Sequence, residues 1–195
     1  MIMTKTRWWL VGLVRLGLWP AYPSAQGDLW ETYMAAATKA YQQGNYPEAE
    51  KQLEAAVKEA EGFGPQDPRL AASLLGLGEL YLHQRRYAEA ESLLKRGLAI
   101  REKALGPEHP DVAGSLNNLA ALYDAQGRYV EAGSLYRRVL AIYEKALGPE
   151  HPSVAASLEN YAALRRETGR SDEAAKMEAR AEAIRAKHAK ENPAN

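Results

Sequence analysis

The chain repeats itself at a fixed interval, and a chain that does so is confined to a stack of like units. Phe63-Gly64-Pro65-Gln66-Asp67-Pro68 returns as Leu105-Gly106-Pro107-Glu108-His109-Pro110, and again as Leu147-Gly148-Pro149-Glu150-His151-Pro152. Both intervals are 42 residues. Laid without a gap on residues 105–146, residues 63–104 match at 23 of 42 positions, where average composition gives about 3. Chance is no alternative at that level. The last copy, from 147 onward, fades toward its end as a terminal repeat does. A more divergent copy precedes the series, because Gly44-Asn45-Tyr46-Pro47-Glu48-Ala49 answers to Gly127-Arg128-Tyr129-Val130-Glu131-Ala132. A unit of this size cannot bury its apolar face alone, so neighbours must cover it.

Inside one unit the pattern reads helix, turn, helix. Leu116, Leu119, Ala120 and Tyr123 fall at i, i+3, i+4 and i+7, one apolar stripe. Gly127 supplies the left-handed conformation that ends a helix at little cost. The second helix buries Ala132, Leu135, Tyr136, Val139, Leu140 and Tyr143, and Leu147-Gly148-Pro149 closes it. Pro110 and Pro152 suit the first turn of the helix that follows, where a missing amide proton goes unmissed. Alanine, leucine, glutamate, lysine and arginine dominate the composition, as in all-helical proteins.

These residues resemble the tetratricopeptide repeat, and the 42-residue form with Leu-Gly-Pro-Glu-His-Pro linkers is similar to the kinesin-light-chain type. The matches are Leu116-Asn117-Asn118-Leu119-Ala120, Tyr123, Gly127-Arg128-Tyr129, Glu131-Ala132, Tyr136 and Leu140-Ala141-Ile142-Tyr143-Glu144-Lys145. The resemblance implies an all-α solenoid of about four antiparallel hairpins in a right-handed superhelix, with each unit's first helix lining a concave groove. It covers about residues 29–188, and the repeat domain is expected over 29–190, divided at about 29–62, 63–104, 105–146 and 147–190, with a disordered tail at 191–195. The sequence departs from the pattern in places. Arg85 stands where Gly127 and Gly169 stand, so that turn needs a strained residue or another geometry. In the fourth unit Arg165 replaces Tyr81 and Tyr123, and Ser171 replaces Tyr87 and Tyr129, as expected of a final pair with no successor. Its second helix is expected to turn a polar face outward as a cap.

Residues 1–25 are unlike the rest. Lys5 and Arg7 precede an apolar run over 8–19, followed by Pro20 and Pro23-Ser24-Ala25. That order is the layout of a signal peptide cut after Ala25, although Arg15 interrupts the run and Pro23 sits where a small residue is preferred. Export to the periplasm or outside is the expectation, with a short N-terminal anchor or a cytoplasmic protein as alternatives. Membrane contact is expected only through this leader, if it stays attached.

Several chemistries are excluded or disfavoured. With no cysteine, disulfides and thiolate metal sites are impossible. Lys plus Arg and Asp plus Glu both number 25, so the basic excess of a nucleic-acid binder is missing. His109 and His151 occupy equivalent linkers about 10 Å apart, the width of a helix and too far for one metal ion. Gly76-Leu77-Gly78 follows no strand and opens no helix, so it cannot cradle a phosphate. Glu48, Glu89, Glu131 and Glu173 recur with the repeat and read as scaffold, as do Tyr46, Tyr87, Tyr129 and Tyr136. Trp30 is expected to cap the first hairpin. The expectation is therefore no enzyme, no cofactor, no metal and no small-molecule substrate.

The groove face follows by elimination from the buried stripe. In the third unit it carries Gly114, Asn117, Asn118, Ala121, Asp124 and Ala125. The equivalents are Ala72, Leu75, Gly76, Glu79, Leu82 and His83 in the second unit, and Ala156, Glu159, Asn160, Ala163, Arg166 and Glu167 in the fourth. In the first they are Glu31, Met34, Ala35, Thr38, Tyr41 and Gln42. Asparagine is a mediocre helix former, so Asn117, Asn118 and Asn160 ask for a reason. An amide donates and accepts, and so can clamp an extended peptide whatever its sequence; the same amides could equally be solvated or bond neighbouring helices. The expected partner-binding set is Tyr41, Glu79, His83, Asn117, Asn118, Asp124, Glu159, Asn160 and Arg166. The expected function is a scaffold for a protein or peptide, with a lean toward a neutral or basic one. The alternative is a structural component that self-associates into a homo-oligomer or docks on an envelope complex.

Overall fold

A computed structural model describes residues 25–191. The expected leader and tail lie outside these residues, apart from Ala25 and Glu191. All regular structure among the described residues is helical, in eight helices: α1 (Ala25–Gln42), α2 (Tyr46–Glu61), α3 (Pro68–His83), α4 (Tyr87–Leu105), α5 (Pro110–Ala125), α6 (Tyr129–Leu147), α7 (Pro152–Glu167) and α8 (Ser171–Glu191). Each odd helix pairs with the even helix after it, and each even helix packs on the next odd one. The result is a solenoid of four antiparallel hairpins.

The linkers work as the punctuation predicts, and the histidines in them have a structural task. Pro68, Pro110 and Pro152 open their helices. The side chains of Asp67, His109 and His151 cap those helices, accepting the backbone N–H two residues on at 2.8, 3.1 and 3.1 Å. An Nδ1 lone pair replaces a carboxylate oxygen in the same geometry. Asn45 caps α2 in the usual way, at 3.3 Å from the Glu48 amide.

Every hairpin turns through a left-handed residue, with φ of 72° at Gly44, 74° at Gly127 and 77° at Gly169. Arg85 takes the same place at 61°. The six-to-one hydrogen bond forces it there: Arg86 N to Tyr81 O at 2.9 Å matches Arg128 N to Tyr123 O at 2.8 Å. A side chain in this region costs about 1 kcal/mol. Arg85→Gly should therefore raise stability by about 1 kcal/mol, or about 2–4 °C in Tm for a domain of this size, as read by thermal unfolding.

Between hairpins, an arginine following the turn makes a recurring clamp. Arg86 lies 3.7 Å over the Tyr81 ring, pairs with Glu50 on α2 at 2.5 Å, and binds Glu89 on its own helix. Arg128 lies 3.8 Å over Tyr123, pairs with Glu91 on α4 at 3.1 Å, and also grips Glu131. In the fourth unit Arg165 takes the place of the tyrosine, and it pairs with Glu173 at 3.3 Å while lying over Tyr161. On α8 only Ala174, Ala181 and Ile184 are buried, so its other faces are exposed or half-buried, as a cap requires.

Two expectations need correction. Leu75, assigned to the groove, is 5% exposed and points into α4, because Gly97 leaves a hole there: a Cβ at Gly97 would sit 2.7 Å from Leu75 Cγ. Met34, on the equivalent face of α1, is also buried and touches Ser73. Trp30 does more than close an end, since its Nε1 donates to Ser73 Oγ at 2.8 Å and ties the first hairpin to the second.

Candidate partner-binding groove

The successive first helices α3, α5 and α7 lie side by side, and a concave cavity of about 620 Å³ opens across them. Glu79, His83, Asn117, Asn118, Asp124, Glu159 and Asn160 all line it. Periodicity brings them together because they share one face of a helix repeated every 42 residues. Gly114, Ala121, Ala125 and Ala156 give the cavity its depth.

Tyr41 and Arg166 stand apart from it. The Tyr41 ring is boxed edge-on by Tyr46 at 5.5 Å and His83 at 5.6 Å, and so continues the wall instead of opening into it. Arg166 swings outward to Glu178 on α8 at 2.6 Å. A salt bridge between helices outweighs the helix-face position here, because α8 supplies the only carboxylate facing that arginine in an ion pair among the described residues.

The amides are partly engaged with each other. Asn160 Nδ2 donates to Asn117 Oδ1 at 3.1 Å, joining α7 to α5. The Asn118 amide lies near Glu79, across from α5 to α3, where it favours the charged carboxylate. Glu159 is held by Arg185 of α8 through a two-pronged pair at 2.6 and 2.7 Å. The groove floor is thus a polar ladder across the odd helices. Each rung leaves capacity unused: Asn117 keeps both amide protons and Asn160 its oxygen for a backbone laid over them.

Charge on the floor is acidic. Burial pushes the Glu79 carboxyl up to about 7, with the Asn118 amide nearby pulling the other way. Burial, and then the nearby charge of Glu167, push Asp124 up to about 6. The cations lining the cavity are Arg85 and, when protonated, His83, both at its α3 end.

Sequence reasoning missed Tyr87, Gly127 and Tyr129, which come from the hairpin turns, and Tyr143, Ser153 and Ser157. Its recurrence with the repeat predicts hairpin packing for Tyr129, yet the residue is 40% exposed and lines the groove. Its position was available as a signal: the residue after each turn follows directly on a groove-lining helix. Among the described residues no group of three His, Cys, Asp or Glu could hold a metal ion, and no helix is long and apolar enough to cross a membrane.

The Tetratricopeptide repeat family matches the chain three times, over residues 31–103, 71–145 and 111–187. No curated protein matches it. Among solved structures it is similar to a candidate kinesin light chain of Podosopora anserina with nearly identical TPR-like repeats. That likeness has 31% identity and a TM-score of 0.65, over 91% of this chain and 82% of the other. BtubC (BKLC) from P. vanneervenii is 22% identical with a TM-score of 0.76, over 90% of this chain and 70% of that one. MamA is 19% identical with a TM-score of 0.58, over 87% and 99%. The last two are likenesses of fold alone.

Proposed function

The chain belongs to the tetratricopeptide repeat family, and on that premise we propose that it is a non-catalytic scaffold holding an extended segment of a partner protein in the groove across α3, α5 and α7. Families of this kind mediate protein–protein interaction in general, and the reading here is narrower. The observation that carries it is the ladder of side-chain amides on the floor of an open cavity of about 620 Å³. Amide donors and acceptors spaced along adjacent helices suit a strand-like backbone, which offers the complementary groups at regular intervals. The half-exposed rings of Tyr87 and Tyr129 on the walls suit side chains of such a segment.

Gly114→Gln provides the test. A Cβ at Gly114 meets nothing closer than Tyr143 Oη at 3.6 Å, so the new side chain fits, and it fills the groove. Glutamine is also the better helix former by about 0.5–1 kcal/mol. Dodecapeptides selected from a random library on the wild-type chain should lose at least about tenfold in affinity for Gly114→Gln, with Tm unchanged or raised. Equal binding to both forms would put the site elsewhere.

A further inference from the structure

We propose that the groove contains, between the C-terminal turns of α5 and α7, a subsite for a cationic side chain of the bound segment, a lysine or arginine seated between Asp124 and Glu167. This rests on the groove reading above and adds the chemistry of one anchor.

The case starts from one pair of positions followed through three repeats. In the second unit the pair is Leu82 and Leu94, both apolar and packed in or against the core. In the fourth it is Arg166 and Glu178, an ion pair at 2.6 Å. In the third it is Asp124 and Tyr136, an acid with no cation. Asp124 Oδ1 and Tyr136 Oη are both buried without a hydrogen-bond partner among the described residues. Tyr136 is 0% exposed, and its hydroxyl lies in the field of Asp124 and Glu167. Two polar atoms left unsatisfied at one place cost free energy in the unbound chain.

The neighbouring cations are engaged elsewhere. Arg128 is held by Glu91 and Glu131 and Arg166 by Glu178, while Arg165 lies over Tyr161 within ion-pair distance of Glu173, its buried Nε without a hydrogen-bond partner among the described residues. No ion pair among the described residues includes Asp124 or Glu167. Burial and the like charge of Glu167 hold the Asp124 carboxyl up to about 6, as expected of an acid facing another acid without compensation. Both carboxylates line the cavity beside Ala125 and Gly127, which leave room for an incoming chain. An ammonium or guanidinium placed there pairs with the carboxylates of Asp124 and Glu167 where they face the cavity and neutralises the pair. A metal ion is the weaker fit, since no third ligand is at hand among the described residues.

The probes are the dodecapeptides that bind the wild-type chain and lose binding to Gly114→Gln. Each is remade with its arginines replaced one at a time by citrulline, or its lysines by norleucine. One replacement should weaken binding by about tenfold or more on the wild-type chain. On Asp124→Asn the same replacement should matter less than about threefold. Glu108→Gln, which removes an exposed charge outside the groove, should keep the tenfold difference. Groove-dependent peptides that need no cation overturn the subsite and leave the groove standing. A discrimination that survives Asp124→Asn, or falls equally in Glu108→Gln, also overturns it. If no selected peptide responds to Gly114→Gln, the groove reading fails first and the subsite falls with it.

Discussion

Gly97→Val should destabilise the chain by about 2–3 kcal/mol, lowering Tm by about 5–10 °C. A Cβ at Gly97 would lie 2.7 Å from Leu75 Cγ, 3.1 Å from its Cδ2 and 3.2 Å from the Ala71 carbonyl oxygen. The side chain could move aside, but the helix backbone cannot. The same position carries Val139 in the third unit, where it is fully buried without conflict because Asn117 stands in place of Leu75. The fourth unit has Ala181 facing Glu159 in that register. Volume is therefore exchanged between the two helices of a hairpin: a large residue on the first requires a hole in the second. Leu75→Asn alone should also destabilise, by about 2–4 kcal/mol, since it empties the hole and exposes an amide to it. The double variant recreates the third unit inside the second, and its loss should fall short of the sum of the singles by about 1–2 kcal/mol. Urea unfolding of the four proteins measures this coupling. Strict additivity would mean that the two sites do not share the space. Gly133→Ala makes a useful contrast, because its new Cβ comes no closer than 3.5 Å to Leu164 and should be tolerated.

That exchange also explains why the groove was only partly legible from sequence. Helix starts and ends could be read because each copy repeats its proline, its glycine and its linker; even Arg85 announced its strain by standing in a glycine's place. The groove face could be read because buried positions recur at helical spacing, which leaves the opposite face by subtraction. Periodicity, however, describes one helix at a time. It put Leu75 on the groove because it could not see the missing side chain of Gly97 on the neighbouring helix. It placed Asn117 and Asn160 on one surface without showing that they meet at 3.1 Å. It gave Arg166 to the groove and left Glu159 unpaired there, since the claims of Glu178 and Arg185 come from α8, whose register against α7 no repeat specifies.

Acidifying the solution from about pH 8 to about pH 5 should stabilise the chain, and Glu79→Gln should remove much of that effect. The Glu79 carboxyl ionises near its ordinary 4.5 when unfolded and at about 7 when folded. Between those values the folded chain holds a proton that the unfolded chain has lost, so stability falls as pH rises through the window. The stabilisation is fully present below pH 4.5 and gone above about 7. Asp124, raised from 3.8 to about 6, acts in the same direction over a lower window. For Glu79 the shift corresponds to about 3 kcal/mol. Glutamine keeps a carbonyl that can accept the Asn118 amide and carries no charge to desolvate. Glu79→Gln should thus be more stable than wild type by about 3 kcal/mol at pH 8 and nearly equal at pH 4.5. Urea midpoints at pH 4.5, 6 and 8 decide the matter, since a gain of the same size at all three would assign it to packing and not to charge.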